Sequence, residues 1–188
     1  ATSVLVGQAI GAGDPRRARA TGLVGIGLGV VLSLGIAAAI FLGAAVIASL
    51  YTPDADVRRI AAGLLALVAL YHVVDAEQAV AVNAVRAYKK TAVPMAIYVL
   101  ALWVLGLGGG YWLGVVGWGG EPLRAAGFWI GAIAGMAVTA VAVTLYFLRV
   151  SRLAVEALAR ERSAAAYASR AQGSATAGDS IASSGARQ

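Results

Sequence analysis

Three polar side chains at helical spacing, inside an otherwise apolar stretch, could hold a cation or a proton. At about 100° per residue, Tyr71, Asp75 and Gln78 fall on one narrow arc of a helix. A carboxylate with a phenol one turn before it and an amide one turn after it can accept a proton. It can also supply oxygen ligands to a hard cation such as Na⁺. We therefore predict a coupling-ion site at Asp75, with Tyr71 and Gln78 beside it.

Three further polar residues of the same stretch surround this arc. His72 and Asn83 lie roughly a quarter-turn away on the same side, whereas Glu77 lies about 200° from Asp75. For His72 a hydrogen bond to a backbone carbonyl is favoured over a functional role, and for Asn83 helix packing is favoured. Gln78 divides evenly between the two roles. For Glu77, one interpretation is a partner on a helix outside this chain.

Composition places these residues in a membrane. Of 188 residues, 60% are hydrophobic and 13% charged, and the mean hydropathy is +0.80, which no ordinary soluble domain combines. A charged side chain in mid-bilayer costs at least about 2.5 to 3.5 kcal/mol, so Asp75 is read as functional. The alternative is a helix–helix hydrogen bond that only holds the bundle together.

Several classes of function are disfavoured by the same composition. The chain has no Cys and a single His, which argues against disulfides, thiol catalysis and a His-rich metal site. No Ser-His-Asp set, paired carboxylates or nucleotide fingerprint is present, so we do not expect an enzyme. The net charge of +6 lies at the ends of apolar segments, where membrane orientation explains it better than nucleic-acid binding.

The apolar segments predict an all-α, polytopic transmembrane bundle of one partial helix followed by four spans, because about 20 residues cross the hydrocarbon core. The predicted helices cover about residues 1–12 (partial), 20–50, 57–85, 94–116 and 125–148. Gly25 and Gly29 should allow another helix to approach closely. Residues 150–170 predict an amphipathic helix on the membrane surface, and residues 171–188 a disordered tail. Since the first residues resemble the end of an apolar helix rather than a signal peptide, we expect a fragment.

Basic residues alternate with near-neutral loops along the chain, which indicates the orientation. The basic residues adjoin every second end of the spans: Arg16, Arg17, Arg19, Arg86, Lys89, Lys90, Arg149 and Arg152. The positive-inside rule then places this side and the carboxyl terminus in the cytoplasm. Aromatic residues cluster at the opposite end, as expected of an interfacial belt: Tyr111, Trp112, Trp118 and Trp129.

Three stretches together resemble a known family. The opening ATSVLVGQAIGAGDPRRAR has a Val-Gly-Gln run and a Gly-x-Gly run that lead into a basic loop. The stretch YHVVDAEQAVAVNAVRAYKKTAVPM has an Asp, a Gln three residues later and a basic loop before Pro, and LYTPDADV lies between the two. In this order and spacing they resemble the carboxyl-terminal lobe of multidrug and toxic compound extrusion (MATE) transporters of the NorM-like branch.

The resemblance implies a twelve-helix antiporter of two six-helix lobes, of which this chain would hold the end of helix eight and helices nine to twelve. Such proteins export drugs and organic cations in exchange for Na⁺ or H⁺ and use no other cofactor. Asp75 matches the acidic coupling residue of helix ten, Tyr71 an aromatic residue one turn earlier, and Gln78 the Gln of the motif. The second carboxylate belongs to helix seven, so the implied partners are the amino-terminal lobe, the drug substrates and membrane lipids. The implied location is the bacterial inner membrane.

Departures from the family pattern keep alternatives open. Ala87 stands where the loop usually has Gly and Lys90 where it usually has Asp, and neither Glu77 nor His72 is typical. The coupling ion therefore stays open between Na⁺ and H⁺. A lipid-linked precursor flippase of the same superfamily is one alternative, although it should line its cavity with cations. A non-transporting membrane scaffold is another.

Overall fold

A computed structural model describes the backbone of residues 1–117 and 119–185, and the side chains of residues 1–117 and 119–167. Throughout these residues the chain is helical between short turns, with no strand. The five helices are α1 (Thr2–Gly11), α2 (Pro15–Tyr51), α3 (Ala55–Arg86), α4 (Ala92–Val116) and α5 (Ala125–Gly185). The predicted all-α bundle is thereby confirmed. Four helices, α2 to α5, are long and apolar enough to cross a membrane.

An aspartate N-cap determines where α2 and α3 each begin, and a proline contributes at the start of α2. The Asp14 carboxylate accepts a hydrogen bond from the Arg17 backbone N–H at 3.0 Å, and Pro15 occupies the first helical position of α2. This cap begins α2 at Pro15 rather than at residue 20, where the uncharged run begins. Asp54 caps α3 in the same way, because its side chain accepts from the backbone N–H of Asp56 at 2.9 Å.

Helix α3 packs between α2 and α5, and the core of the bundle lies at this junction. The core residues come from all three helices: Ile26, Ala81, Ala84, Val85, Val143 and Phe147. The Phe147 ring lies over Gly22 of α2, where even a methyl group would collide with it. Small residues on α3 and a glycine on α2 therefore let three helices converge on one aromatic ring.

Two small-residue contacts predicted from the sequence are confirmed. A Cβ on Gly25 would meet the Thr2 side chain of α1, and a Cβ on Gly29 would lie 3.0 Å from Cγ2 of Val80 on α3. Both glycines therefore lie where another helix approaches α2 closely.

A glycine seam joins α4 to α5. Its members recur every fourth residue on both helices: Gly106, Gly110 and Gly114 on α4, and Gly127, Gly131 and Gly135 on α5. A Cβ on Gly131 would lie 2.6 Å from the Gly106 carbonyl oxygen and 2.6 Å from the Gly110 Cα. The two backbones thus touch directly. Along this seam α4 changes from a regular α-helix over Ala92–Ala101 to π-helix over Leu102–Gly109 and Trp112–Val116.

The carboxyl-terminal part of the chain is helical through Gly185. After its span, α5 continues without a break through residues 150–170, where a surface helix is predicted, and through 171–185 of the predicted tail. The position of this segment at the membrane surface stays a prediction. Residues 186–188 lie outside the described residues. Extending a formed helix adds one hydrogen bond per residue without a new nucleation step. An ion pair between Arg152 Nε and Glu156 Oε1 at 2.8 Å, one turn apart, supports the extension.

The basic loops meet at one end of the bundle, as the charge pattern predicts. Arg16 and Arg19 of α2 share a groove with Arg152 of α5. Tyr88, in the turn between α3 and α4, packs against the cluster formed by Val6, Ala9 and Ala18 around the turn between α1 and α2. We call this the basic end of the bundle.

Candidate functional site

A cavity of about 480 Å³ separates α3 from α4. It exists because α4 is held on α5 by the glycine seam, whereas α3 packs on other α5 residues, including Val143 and Phe147. The wall on α3 consists of Asp75, Gln78, Ala79, Val82, Asn83 and Arg86. The opposite wall consists of Thr91, which immediately precedes α4, and of Pro94, Met95 and Tyr98 of α4, spaced as one helical stripe.

Asp75 lies in this wall and has no ion pair or side-chain hydrogen bond among the described residues. The amide of Gln78, one turn further along α3, is buried in the same wall. A carboxylate without an internal partner keeps its oxygens free for a ligand, and an amide oxygen is a second donor of the kind that Na⁺ prefers. The structure therefore brings together two of the three residues predicted for the ion site.

The third predicted residue, Tyr71, does not line the cavity, although it lies close enough to Asp75 and Tyr98 to interact electrostatically with both. Its ring packs edge-on against Trp129 of α5, with ring centroids 5.7 Å apart and an interplanar angle of 78°. The phenol in the cavity wall is instead that of Tyr98 on α4. The sequence analysis missed Tyr98 because helical phase relates residues of one helix and says nothing of which neighbouring helix faces them.

Glu77 lies on the closed side of α3, where its carboxylate Oε1 accepts a hydrogen bond from the Thr144 hydroxyl of α5. The interpretation that its partner belongs to a helix outside the chain is therefore corrected. A Thr in the middle of a span gives no sign in the sequence that it donates a hydrogen bond to another helix. Thr144 was therefore not identified as the partner of Glu77. Glu77 has the role of an interhelical hydrogen-bond acceptor rather than a residue of the cavity wall.

His72 and Asn83 behave differently from each other. The His72 Nε2 atom is buried and has no hydrogen-bond partner, so the expected bond to a backbone carbonyl does not form at that atom. The Asn83 side chain donates to the Ala79 carbonyl of its own helix at 2.9 Å, and it also lines the cavity. Asn83 thus combines a local bond with a position in the cavity wall.

Arg86 is a further cavity residue that the sequence analysis assigned only to membrane orientation. It lines the end of the cavity nearest the basic loops. Eleven residues separate it from Asp75, about 16 Å along the helix axis, so the two charges do not pair. The cavity wall therefore carries a carboxylate deep in the span and a guanidinium at its basic end.

Four helices that can span a membrane, with a carboxylate in a cavity between two of them, define a multi-pass membrane protein built as a helix bundle. The family model described as MatE matches residues 1–112. The chain belongs to the MatE family, and the resemblance found in the sequence is confirmed.

The relatives agree with this assignment. The chain is 40% identical over 141 residues to a probable multidrug resistance protein NorM of Idiomarina loihiensis, covering 75% of this chain and 30% of that protein. It is 38% identical over 141 residues to the multidrug resistance protein PmpM of Pseudomonas aeruginosa, with the same two coverages. These relatives are named as resistance proteins and not as enzymes. The chain spans about 30% of the length of each.

A solved structure shares the fold. The crystal structure of the eukaryotic MATE transporter AtDTX14 superposes with a TM-score of 0.70 at 23% sequence identity, covering 84% of this chain and 35% of that one. The arrangement of spans around the cavity is therefore that of part of a MATE transporter fold.

Proposed function

We propose that this chain is the carboxyl-terminal part of a cation-coupled antiporter that exports drugs and organic cations, with Asp75 binding the coupling ion. The observation that carries the proposal is the unpaired Asp75 carboxylate in the wall of the cavity between α3 and α4. The relatives are named multidrug resistance proteins, which supports an export function.

The chemistry of the cavity suits exchange of one cation for another. Asp75 and Gln78 offer oxygen atoms to Na⁺, and Asp75 alone suffices for H⁺. Across the cavity, Tyr98 and Met95 offer an aromatic face and a polarisable thioether, which favour an organic cation. Both ligands are attracted by the same carboxylate, so binding of one weakens binding of the other. That competition is what an antiporter requires.

The proposed antiporter also has a second lobe, a coupling ion and a location in the cell. The partner of this part is an amino-terminal lobe whose helix seven supplies a second carboxylate, and no cofactor other than Na⁺ or H⁺ takes part. The location is the bacterial inner membrane, with the basic end of the bundle and the carboxyl terminus in the cytoplasm. Arg86 in the cavity wall is the one observation that favours a flippase for lipid-linked precursors, because such a substrate carries phosphate.

The test uses two carboxylates that lie two residues apart on α3. The full-length protein is reconstituted in liposomes, and efflux of a fluorescent organic cation is driven by a Na⁺ or a H⁺ gradient. We expect Asp75→Asn to lower ion-driven efflux at least about tenfold, as expected when an essential charge is lost. Glu77→Gln is the matched control, since it removes the same charge on the closed side of α3 and should stay within about twofold.

Each alternative predicts a different outcome. Unchanged efflux in Asp75→Asn contradicts the coupling role, and equal losses in both variants show that the loss is not specific to the carboxylate in the cavity wall. Transport of a lipid-linked pyrophosphate that depends on Arg86 and not on Asp75 supports the flippase instead. Comparing the two gradients identifies the coupling ion.

A further inference from the structure

A second groove lies at the basic end of the bundle, between the first turns of α2 and the part of α5 that follows its span. It encloses about 420 Å³. The wall carries Arg16 and Arg19 from α2 and Arg152 and Val155 from α5, and Ala20 and Leu23, deeper along α2, form an apolar floor. The α2 residues recur at intervals of three and four, so one face of each helix forms one side of the groove.

The charge of this groove is positive after internal pairing is taken into account. Arg152 is bound to Glu156, also in the wall, at 2.8 Å between Nε and Oε1. Arg16 and Arg19 take part in no ion pair among the described residues. The wall therefore keeps two guanidinium groups for an anion, with a third beside them. Guanidinium groups bind phosphate oxygens in a bidentate geometry.

The floor of the groove is apolar and faces the membrane interior. Leu23 lies seven residues after Arg16, about 10 Å deeper along α2, and is 41% exposed. From Ala20 onward α2 contains no charged residue, so the arginines stand at the boundary between interface and hydrocarbon. A small anion or an acidic peptide would use only the arginines. A phosphodiester carrying acyl chains would use both the arginines and the apolar floor.

We propose that this groove binds one anionic phospholipid, with its phosphate held by Arg16, Arg19 and Arg152 and an acyl chain lying over Ala20 and Leu23. Basic pockets between membrane helices are suited to such headgroups. The bound lipid would join the start of α2 to the part of α5 that follows its span. The site is separate from the cavity of Asp75 and does not depend on the proposed ion coupling.

The experiment measures lipid affinity of the full-length protein in an uncharged detergent. Short-chain phosphatidylglycerol is titrated, and binding is followed by native mass spectrometry and by the shift in melting temperature. The double variant Arg16→Gln/Arg19→Gln should raise the half-saturating lipid concentration about thirtyfold, as expected for two lost interfacial contacts. Lys89→Gln/Lys90→Gln is the matched control, because it removes the same charge at the same end of the bundle but outside the groove. It should change the affinity by less than about threefold.

Further arms separate a lipid site from simpler explanations. Phosphatidylcholine and inorganic phosphate at the same concentrations should give little or no protection. Equal weakening in both double variants, unchanged affinity in Arg16→Gln/Arg19→Gln, or equal protection by inorganic phosphate would each overturn the proposal. If the double variant fails to fold, Arg152→Gln tests the same groove from α5 and should weaken lipid binding about fivefold.

Discussion

Helix α4 meets its two neighbours in opposite ways. Towards α5 its backbone touches another backbone along the glycine seam, whereas towards α3 it leaves a cavity of about 480 Å³. Between membrane helices there is little hydrophobic driving force, so close van der Waals contact fixes helix positions. The cavity is therefore kept open by a contact on the other side of α4. A residue that never touches the ligand can therefore determine the size of the site.

The two carboxylates of α3 repeat this contrast. Asp75 faces the cavity and has no partner among the described residues, whereas Glu77, two residues later, accepts a hydrogen bond from Thr144 on the closed side. The same chemical group thus serves in one place as a free ligand and in the other as an interhelical contact. The side of the helix, rather than the residue type, separates the two roles.

The largest effect is expected where backbones touch. Gly131→Ala adds a methyl group 2.6 Å from the Gly110 Cα, so α4 and α5 must separate, and we expect a loss of about 1 to 3 kcal/mol in stability. Gly109→Ala is the control, because a Cβ at Gly109 meets nothing within 4 Å. It should be neutral or stabilising by up to about 1 kcal/mol, since Ala is the better helix former. The stability of both variants is measured from the fraction of folded protein that size-exclusion chromatography detects after heating to a series of temperatures. Equal stability of the two variants would show that the seam does not hold α4.

The sequence predicted the spans and two residues of the cavity wall, Asp75 and Gln78, for a simple physical reason. Long uncharged runs and proline–acid turns determine helix ends locally, and helical phase places Asp75 and Gln78 on one arc without knowledge of any neighbour. The partner of Glu77 and the position of Tyr71 depend on how α3 is rotated against α5, which is a property of tertiary packing. The continuity of residues 150–185 with the last span was not predicted, because composition describes the solubility of a segment and not its connection to the preceding helix.

The glycine seam was not predicted either, although the sequence contains the glycine repeats that form it. Glycines at intervals of four occur in both α4 and α5, but two of the residues between Gly106 and Gly114 that are not part of that pattern, Gly108 and Gly109, are also glycine. The register was therefore hidden by neighbouring glycines. Matching the two four-residue repeats against each other would have found it.

An intermediate effect is expected at the closed side of α3. Thr144→Val keeps the shape of the side chain but removes the donor to Glu77, so we expect a loss of about 1 kcal/mol, as for hydrogen bonds between membrane helices. Thr139→Val is the control on the same helix, because the Thr139 hydroxyl donates only to the Gly135 carbonyl of its own helix at 2.9 Å. That variant should change stability by less than about 0.5 kcal/mol.

A second substitution tests the hydrogen bond between Thr144 and Glu77 from its acceptor side. Adding Glu77→Leu to Thr144→Val should recover stability, since replacing both partners by apolar groups leaves no buried acceptor unsatisfied. The measurement is the melting temperature of the single and double variants under identical detergent conditions. If Thr144→Val costs no more than Thr139→Val, Glu77 does not depend on Thr144 and the contrast with Asp75 fails.

The smallest effect is expected at Tyr88, in the turn that joins the two sides of the cavity. Its ring packs edge-on against Phe147 with centroids 6.1 Å apart, but its hydroxyl is buried without a partner. Tyr88→Phe keeps the ring contact and removes the unsatisfied group, so we expect a gain of up to about 1 kcal/mol.

Burial raises the pKa of Tyr88, with the nearby Arg19 acting in the opposite direction. Because the unfolded state then loses the phenolic proton first, the wild-type protein should lose stability as the pH rises above about 10. Tyr88→Phe should lack the part of this stability loss that comes from the phenol. Tyr51→Phe, at an exposed position, should leave melting curves unchanged both below and above about pH 10. Destabilisation by Tyr88→Phe would mean that the hydroxyl has a partner, and that the turn is fixed by a polar contact rather than by ring packing.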